Sequence, residues 1–259
     1  MIQLSASKIK TYQDCPHRYL LQYVTRSKQY LAPITRFGML AHKILEDFHR
    51  YCISNRDKFS DDLGRIKMKE IFSQRLSQYK EQYPSHISKL GYDGVDIFDL
   101  YFQEYIDYFI SKKLYTQVLH PEKNISITAG NFHLRGKIDL HIEPNIIIDF
   151  KSGKHETSMD VLENSLQSKF YSLASEGSTH FSYVYIKRPL EIVSFAVDKT
   201  KGQLINEIVR EAACIIGTKN YPKKYKYCDY CPYRFECRPD KYIRSDGADS
   251  VNLPDVDTI

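Results

Sequence analysis

The sequence predicts a mixed α/β (α+β) fold, a central sheet flanked by helices, and three observations predict it. An apolar, β-branched run, Ile146 to Ile148, is bounded by Pro144 and Ser152-Gly153 and reads as a buried strand. Further strand patterns at 124–128, 132–142, 179–187 and 191–197 surround it, and Glu143-Pro144-Asn145 makes a turn that pairs 132–142 with 146–151 as a hairpin. Apolar residues three and four apart mark helices at 37–51, 161–175 and 203–216, the last with Leu204, Ile208 and Ala212 inward. A chain of 259 residues can bury a core as one large domain, or as one domain carrying an inserted subdomain.

Composition narrows the class. The net charge of +5 is modest: it suits nucleic-acid binding without requiring it. The N-terminus lacks the apolar core of a signal peptide, and no run of about 18 apolar residues exists, so no membrane span is expected. The expectation is an intracellular, cytoplasmic protein in a prokaryotic or viral context. Six cysteines in a reducing compartment read as metal ligands, catalytic thiols or packing groups rather than disulfides. Tyr is frequent at 21 residues, and most of these rings are expected to pack rather than to stack on bases.

Taken in order, Ser5 or Ser7 can cap a helix running through Ile9, Tyr12 and Tyr19 to Tyr23, with Asp14-Cys15-Pro16 inside it. The 37–51 helix places His42 with Glu46 beside it at i+4, and His49 further along. A lone histidine is by default a packing or surface residue, and His17, His49, His133 and His141 are read so. Residues 54–119 suggest two amphipathic helices, around Ile66–Leu76 and Ile97–Phe109, parted by Tyr83-Pro84-Ser85 and Gly91–Gly94. Their aromatic stripe reads as helix core. The predicted divisions are N-terminal helices at 1–53, an inserted helical cap at 54–120, a central core at 121–218, a cysteine-bearing region at 219–244 and a frayed acidic tail at 245–259.

Two constellations carry chemistry. Strand alternation projects Asp149 and Lys151 together while Phe150 points inward, and the hairpin brings Asp139 beside Asp149. Two carboxylates and a lysine at the lip of a buried sheet are costly to desolvate unless compensated, and oxygen ligands of this kind suit Mg²⁺ or Mn²⁺. Near the C-terminus, Cys228, Cys231 and Cys237 have a C-x2-C-x5-C spacing that reaches one metal centre, with Cys15 as candidate fourth ligand. Spacing alone fits zinc as well as an iron–sulfur cluster. Cys52 and Cys214 fall outside the pattern and read as packing thiols. Lys219, Lys223, Lys224, Lys226, Arg234, Arg238 and Lys241, interleaved with Tyr221, Tyr225, Tyr227 and Tyr230, make either a solvated surface or a path for single-stranded nucleic acid.

Gly136-Lys137-Ile138-Asp139 followed by Asp149-Phe150-Lys151 resembles the core of the PD-(D/E)XK nucleases in their RecB-like form. Gly38-Met39-Leu40-Ala41-His42 resembles the upstream histidine motif of that branch, Glu122 its acidic position before the sheet, and Gln167-Ser168-Lys169-Phe170-Tyr171 its QxxxY helix. The early and late cysteines resemble those of the CRISPR-associated (Cas-four-like) and AddB-type iron–sulfur exonucleases. The resemblance runs from Leu4 to Cys237, with the helical insertion as its main departure.

It implies a restriction-endonuclease-like mixed sheet and a 4Fe–4S cluster on Cys15, Cys228, Cys231 and Cys237 that clips the chain ends together. It also implies a Mg²⁺ or Mn²⁺ site from His42, Glu122, Asp139, Asp149 and the Phe150 carbonyl, with catalysis by Asp139, Asp149 and Lys151 aided by Gln167 and Tyr171. The implied activity is a metal-dependent DNA exonuclease on single-stranded ends, in recombination, replication or CRISPR adaptation, with a helicase, recombination or CRISPR integrase partner. The competing reading is a non-catalytic DNA-end-binding or docking module with a structural iron–sulfur or zinc site.

Overall fold

The computed structural model describes residues 1–153, 158–174, 179–217, 219–225 and 228–241. The chain enters the sheet at once through a strand the sequence did not betray, β1 (Ile2–Leu4), which runs parallel to Phe132–Leu134. Ser5 caps α1 (Ala6–Asp14) by accepting from the Lys8 N–H. The predicted single helix to Tyr23 breaks, because Cys15 precedes a proline and is driven to extended backbone. Pro16 then opens α2 (Pro16–Tyr19), which runs on as a wider π turn over Leu20–Val24.

Pro33 likewise starts α3 (Pro33–Ser54), whose Phe37, Ala41, Ile44, Leu45, Phe48 and Cys52 form its buried stripe. Ser60 caps α4 (Asp61–Gln82), a short α5 (His86–Lys89) follows, and a π turn at Asp99–Gln103 leads into α6 (Glu104–Ser111). The aromatic stripe is core as expected: Ile97, Tyr101, Tyr105 and Phe109 are all buried. These helices do not enclose a core apart from the sheet. Phe72, Phe102 and Phe109 belong to one apolar cluster with Leu140, Ile148, Phe150 and Val184.

β2 (Leu119–Ala129) begins five residues before the predicted 124, so Glu122 lies within the strand rather than ahead of it. β3 (Phe132–Ile142) and β4 (Ile146–Lys151) form the expected hairpin. The predicted helix at 161–175 is two pieces, α7 (Met159–Glu163) and α8 (Leu166–Ser172), parted where the Ser165 side chain accepts from the Ser168 N–H and caps a new start; Ser175 lies outside the described residues. β5 (Thr179–Tyr185), β6 (Glu191–Val197) and α9 (Lys201–Ala212) complete the layer, α9 opening on a Thr200–Gln203 capping box. A last turn, α10 (Arg234–Cys237), ends the described helices, and the predicted tail at 245–259 lies outside the described residues.

The sheet order is β1-β3-β4-β5-β6 with β2 on the other side of β3. β2 covers one edge of β3 along its length. The opposite edge is shared, by β1 at Phe132–Leu134 and by β4 at Leu140–Ile142. Between them the edge is open, and both β2 and β3 turn over there. Leu134 and Ile138 pack into a cluster with Phe170, Phe181 and Ile208, whereas Leu140 and Ile142 pack into the helical cluster opposite. In a regular strand these even-numbered residues would share one face. β2 switches in the same way between Leu119 and Ile125, and at the crossing Glu122 adopts φ +54°, an uncommon backbone for a residue with a Cβ. Asp139 stands opposite it, between the pairs Pro121–Leu140 and Lys123–Ile138.

The helical core meets the site through His49 and Phe150. His49 is fully buried, its Nε2 2.8 Å from the Tyr105 hydroxyl and its ring stacked on Phe150 at 12°. Burial holds it neutral, with its pKa pushed down to about 3. The default packing reading for His49 therefore holds. Cys214, expected as a packing thiol, is instead exposed, while Cys52 is buried. Removing the one partner of a buried ring nitrogen leaves it unsatisfied. Tyr105→Phe is therefore expected to lower stability by about 1–3 kcal/mol, seen as a lower urea midpoint with an unchanged slope; an unchanged midpoint would contradict it.

Candidate active site

β4 delivers two side chains to the open edge of β3. Asp149 is 2 % exposed, and its Oδ1 accepts from Gln167 Nε2 at 2.6 Å while its Oδ2 lies 2.5 Å from Lys151 Nζ. Among the described residues Oδ2 has that ion pair and no aligned hydrogen bond. Lys151 Nζ also donates to Gln167 Oε1 at 3.0 Å and lies 5.2 Å from the centre of the Tyr183 ring. Across the strands, Asp139 Oδ2 accepts the Phe150 N–H at 2.8 Å and stands 3.3 Å from His42 Nδ1 on α3. A side chain has taken the strand-to-strand bond that β3 abandons at this point. Asp139, Asp149, Lys151, Gln167 and His42 are thus brought together.

Gln167 explains why a carboxamide suits this position. Its amide nitrogen donates to Asp149 and, at 3.2 Å, to the Tyr171 hydroxyl, which leaves its oxygen to face the lysine. The Tyr171 ring in turn lies over Gly136, where a Cβ would sit 3.4 Å from it. Gly38 allows a similar approach, since a Cβ there would lie 3.0 Å from Ser152 Oγ, just beyond Lys151. Glu122 is held apart by its own partner, Lys137 Nζ at 2.9 Å. Glu46 does not pair with His42, as its spacing had suggested; it bonds Lys43 and Arg50.

Sequence reasoning missed Lys137 as the partner of Glu122 and Tyr183 as the floor beneath Lys151. The signal for Tyr183 lay in strand pairing, where it registers with Asp149. That for Lys137 required the inverted backbone at Glu122.

The charges are strongly coupled. Burial pushes the Asp149 carboxyl up to about 6; Lys151 pulls it back and Asp139 adds to it. Burial opposes the Lys151 ammonium, yet Asp149 outweighs it and holds the lysine above its ordinary range, so Lys151 is a cation throughout the neutral range. His42 is likewise raised: burial works against its charge, and the hydrogen bond and charge of Asp139 prevail. Burial keeps Tyr171 well above the usual phenol range, so it stays neutral.

A cavity lies between the chain ends. Cys15, Cys228, Cys231 and Cys237 all line it, with Arg18, Lys223 and Arg238. Burial raises Cys231 and Cys237, and the neighbouring thiols raise them further. Even so, among the described residues no group of three or more His, Cys, Asp or Glu is gathered to hold a metal ion, at either site. The expected basic path is partly spent on structure: Lys223 Nζ donates to the Cys237 carbonyl and Lys224 Nζ to that of Gln13. Tyr225 and Tyr230 are exposed, with Arg238 over Tyr225, while Lys226 and Tyr227 lie outside the described residues.

A mixed sheet flanked by helices, with two acids and a lysine at the end of a hairpin, defines a class of phosphodiester-cleaving proteins. Residues 3–238 match the PD-(D/E)XK nuclease superfamily, and the chain belongs to that superfamily. Its architecture is consistent with the restriction-endonuclease-like fold, and the superfamily generally uses Mg²⁺ or Mn²⁺. No curated protein matches. Among solved structures, SSO0001 is similar at 12 % identity over 94 % of this chain and 89 % of its own, with a TM-score of 0.36. A protein from Eubacterium rectale provisionally named an exonuclease is similar at 12 % identity over 94 % and 90 %, with a TM-score of 0.43. Among the described residues, no helix is long and apolar enough to cross a membrane.

Folding raises the Asp149 carboxyl from 3.8 to about 6, so folding favours its protonated form. That contribution is complete below the lower value and is lost as pH rises through the higher one. Asparagine cannot ionise. Without divalent cations, Asp149→Asn is expected to gain on the wild type by on the order of 1–3 kcal/mol as pH rises from about 4 to about 7. Equal urea midpoint differences at the two pH values would contradict this.

Proposed function

We propose that this nuclease is a Mg²⁺- or Mn²⁺-dependent DNA exonuclease that acts on single-stranded ends. The observation that carries the metal dependence is the buried Asp149 carboxylate beside Asp139, with an oxygen that, among the described residues, has an ammonium beside it and no aligned hydrogen bond. A carboxylate so poorly solvated is stabilised by a cation, and its hard oxygens fit the implied metals. Asp139, Asp149 and the Phe150 carbonyl would hold the ion, with His42 and Glu122 as further ligands. When bound, it polarises the scissile phosphate and neutralises charge on the leaving oxygen.

The remaining chemistry belongs to the chain. Lys151 is held as an ammonium, so it orients the attacking water and stabilises charge gathering on the phosphate; with its raised pKa it is a poor general base. Gln167 fixes that ammonium by offering its oxygen to Lys151 while its nitrogen is committed to Asp149 and Tyr171. The exonuclease activity is supported by the resemblance of the histidine, GKID, DFK and QxxxY motifs to the RecB-like branch. Preference for single strands is supported by the exposed rings of Tyr225, with Arg238 over it, and Tyr230, since rings stack on unpaired bases and cations take phosphates.

We further propose that Cys15, Cys228, Cys231 and Cys237 hold a 4Fe–4S cluster joining the chain ends. The four thiols line one cavity, where burial raises Cys231 and Cys237 and the charges of Arg18 and Lys223 oppose that rise. Iron and sulfide analysis with a visible absorption band is the expected result, and a colourless, zinc-loaded protein would overturn it.

The enzyme reading is tested with end-labelled single- and double-stranded DNA. Asp149→Ala and Lys151→Ala are expected to abolish Mn²⁺-dependent cleavage while DNA binding survives. Gln167→Leu should lower the rate by about 10–100-fold, as loss of a supporting hydrogen bond typically does. Full activity in both alanine variants would refute the site; a wild type that binds ends and never degrades them would favour the docking-module reading.

A further inference from the structure

The structure contains a second lysine, Lys137 of the Gly136–Asp139 motif, to which the proposed mechanism gives no task. Lys137 precedes Asp139 by two residues, and its Nζ lies 2.9 Å from Glu122, a carboxylate carried to that point by the inverted backbone at φ +54°. Neither partner is locked away, with side chains 30 % and 18 % exposed. Each of two acids therefore has its own ammonium, Asp149 with Lys151 and Glu122 with Lys137. The two lysines differ in freedom. Lys151 is fixed by Gln167, whereas Lys137 is paired, among the described residues, with Glu122.

We propose that Lys137 is a second phosphate-binding ammonium, parked on Glu122 in the metal-free protein and released to a DNA phosphate oxygen once Glu122 turns to a cation. The assignment rests on the nuclease reading and deepens it. A divalent cation at Glu122 repels an ammonium a few ångströms away, and that repulsion is strong in a partly desolvated cleft. Lysine is suited to the exchange: its ammonium is a point charge on a flexible stem, able to redirect its donors without a fixed fork geometry. The anion that accompanies the cation into the site is the DNA backbone, so the freed ammonium has a partner at hand. Lys137 then takes phosphate charge without sequence readout, as a contact to the backbone does.

The test is binding of a fluorescein-labelled single-stranded oligonucleotide, followed by anisotropy across a salt series in a Lys151→Ala background that keeps every carboxylate. With Mn²⁺ present, Lys137→Met should reduce the slope of log K against log salt by about one, the loss of one phosphate contact. With EDTA the slopes should coincide, because the ammonium is then spent on Glu122. Glu122→Gln should free it, giving tighter binding and a steeper slope in EDTA that Lys137→Met removes again. Equal slopes with Mn²⁺, or an equal reduction with and without it, would overturn the assignment. If Lys137→Met does not fold, the Glu122→Gln, Lys137→Gln pair replaces it against Glu122→Gln alone. Wild-type cleavage reports the nuclease reading separately. A protein that cleaves yet shows equal slopes loses only this assignment; one that neither cleaves nor binds loses both.

Discussion

The site depends on one ion pair whose carboxylate is buried and whose ammonium reaches the surface. Asp149 is buried on a central strand and touches the Lys151 ammonium at 2.5 Å. Removing both charges from water costs more than their attraction returns unless further hydrogen bonds satisfy them. Gln167 supplies those bonds on both sides, and Asp139 adds a second negative charge that keeps the pair electrically unbalanced. The protein thus holds a carboxylate whose protonated form folding favours up to about pH 6.

The backbone around this pair is shaped by the same constraint. A regular β3 would hydrogen-bond along its whole edge and leave no place for Asp139 or for the Gln167 helix. Instead β1 and β4 divide that edge, and the Asp139 carboxylate takes the Phe150 N–H. The strand inversion at Glu122 and Asp139 sends the first half of β3 into one core and its second half into the other. His42 then arrives from the helical side and Gln167 from α8. Strained backbone at such a crossing persists only because the cores on both sides fix it.

What the sequence disclosed was local. The β3–β4 hairpin carried its own turn and its own alternation, so its limits and the meeting of Asp139 with Asp149 could be read directly. The Gln167–Tyr171 pair was singled out by its resemblance to the QxxxY helix, and the structure bonds the two. What stayed hidden was non-local. β1 is three residues long, too short for a period, and it exists because β3 has room for it. The break at Cys15 was readable from Pro16 but was outweighed by the run of apolar positions around it. The positive φ of Glu122 has no signature in a glutamate, so the Lys137 pair that follows from it could not be anticipated.

The central claim is that the buried Asp149 carboxylate is kept ionisable in order to grip a divalent cation. Isothermal titration calorimetry of Mn²⁺ into the purified protein at neutral pH tests it most directly. Saturable binding by the wild type and its loss in Asp149→Asn is the predicted result; an isotherm unchanged by that substitution would contradict the account.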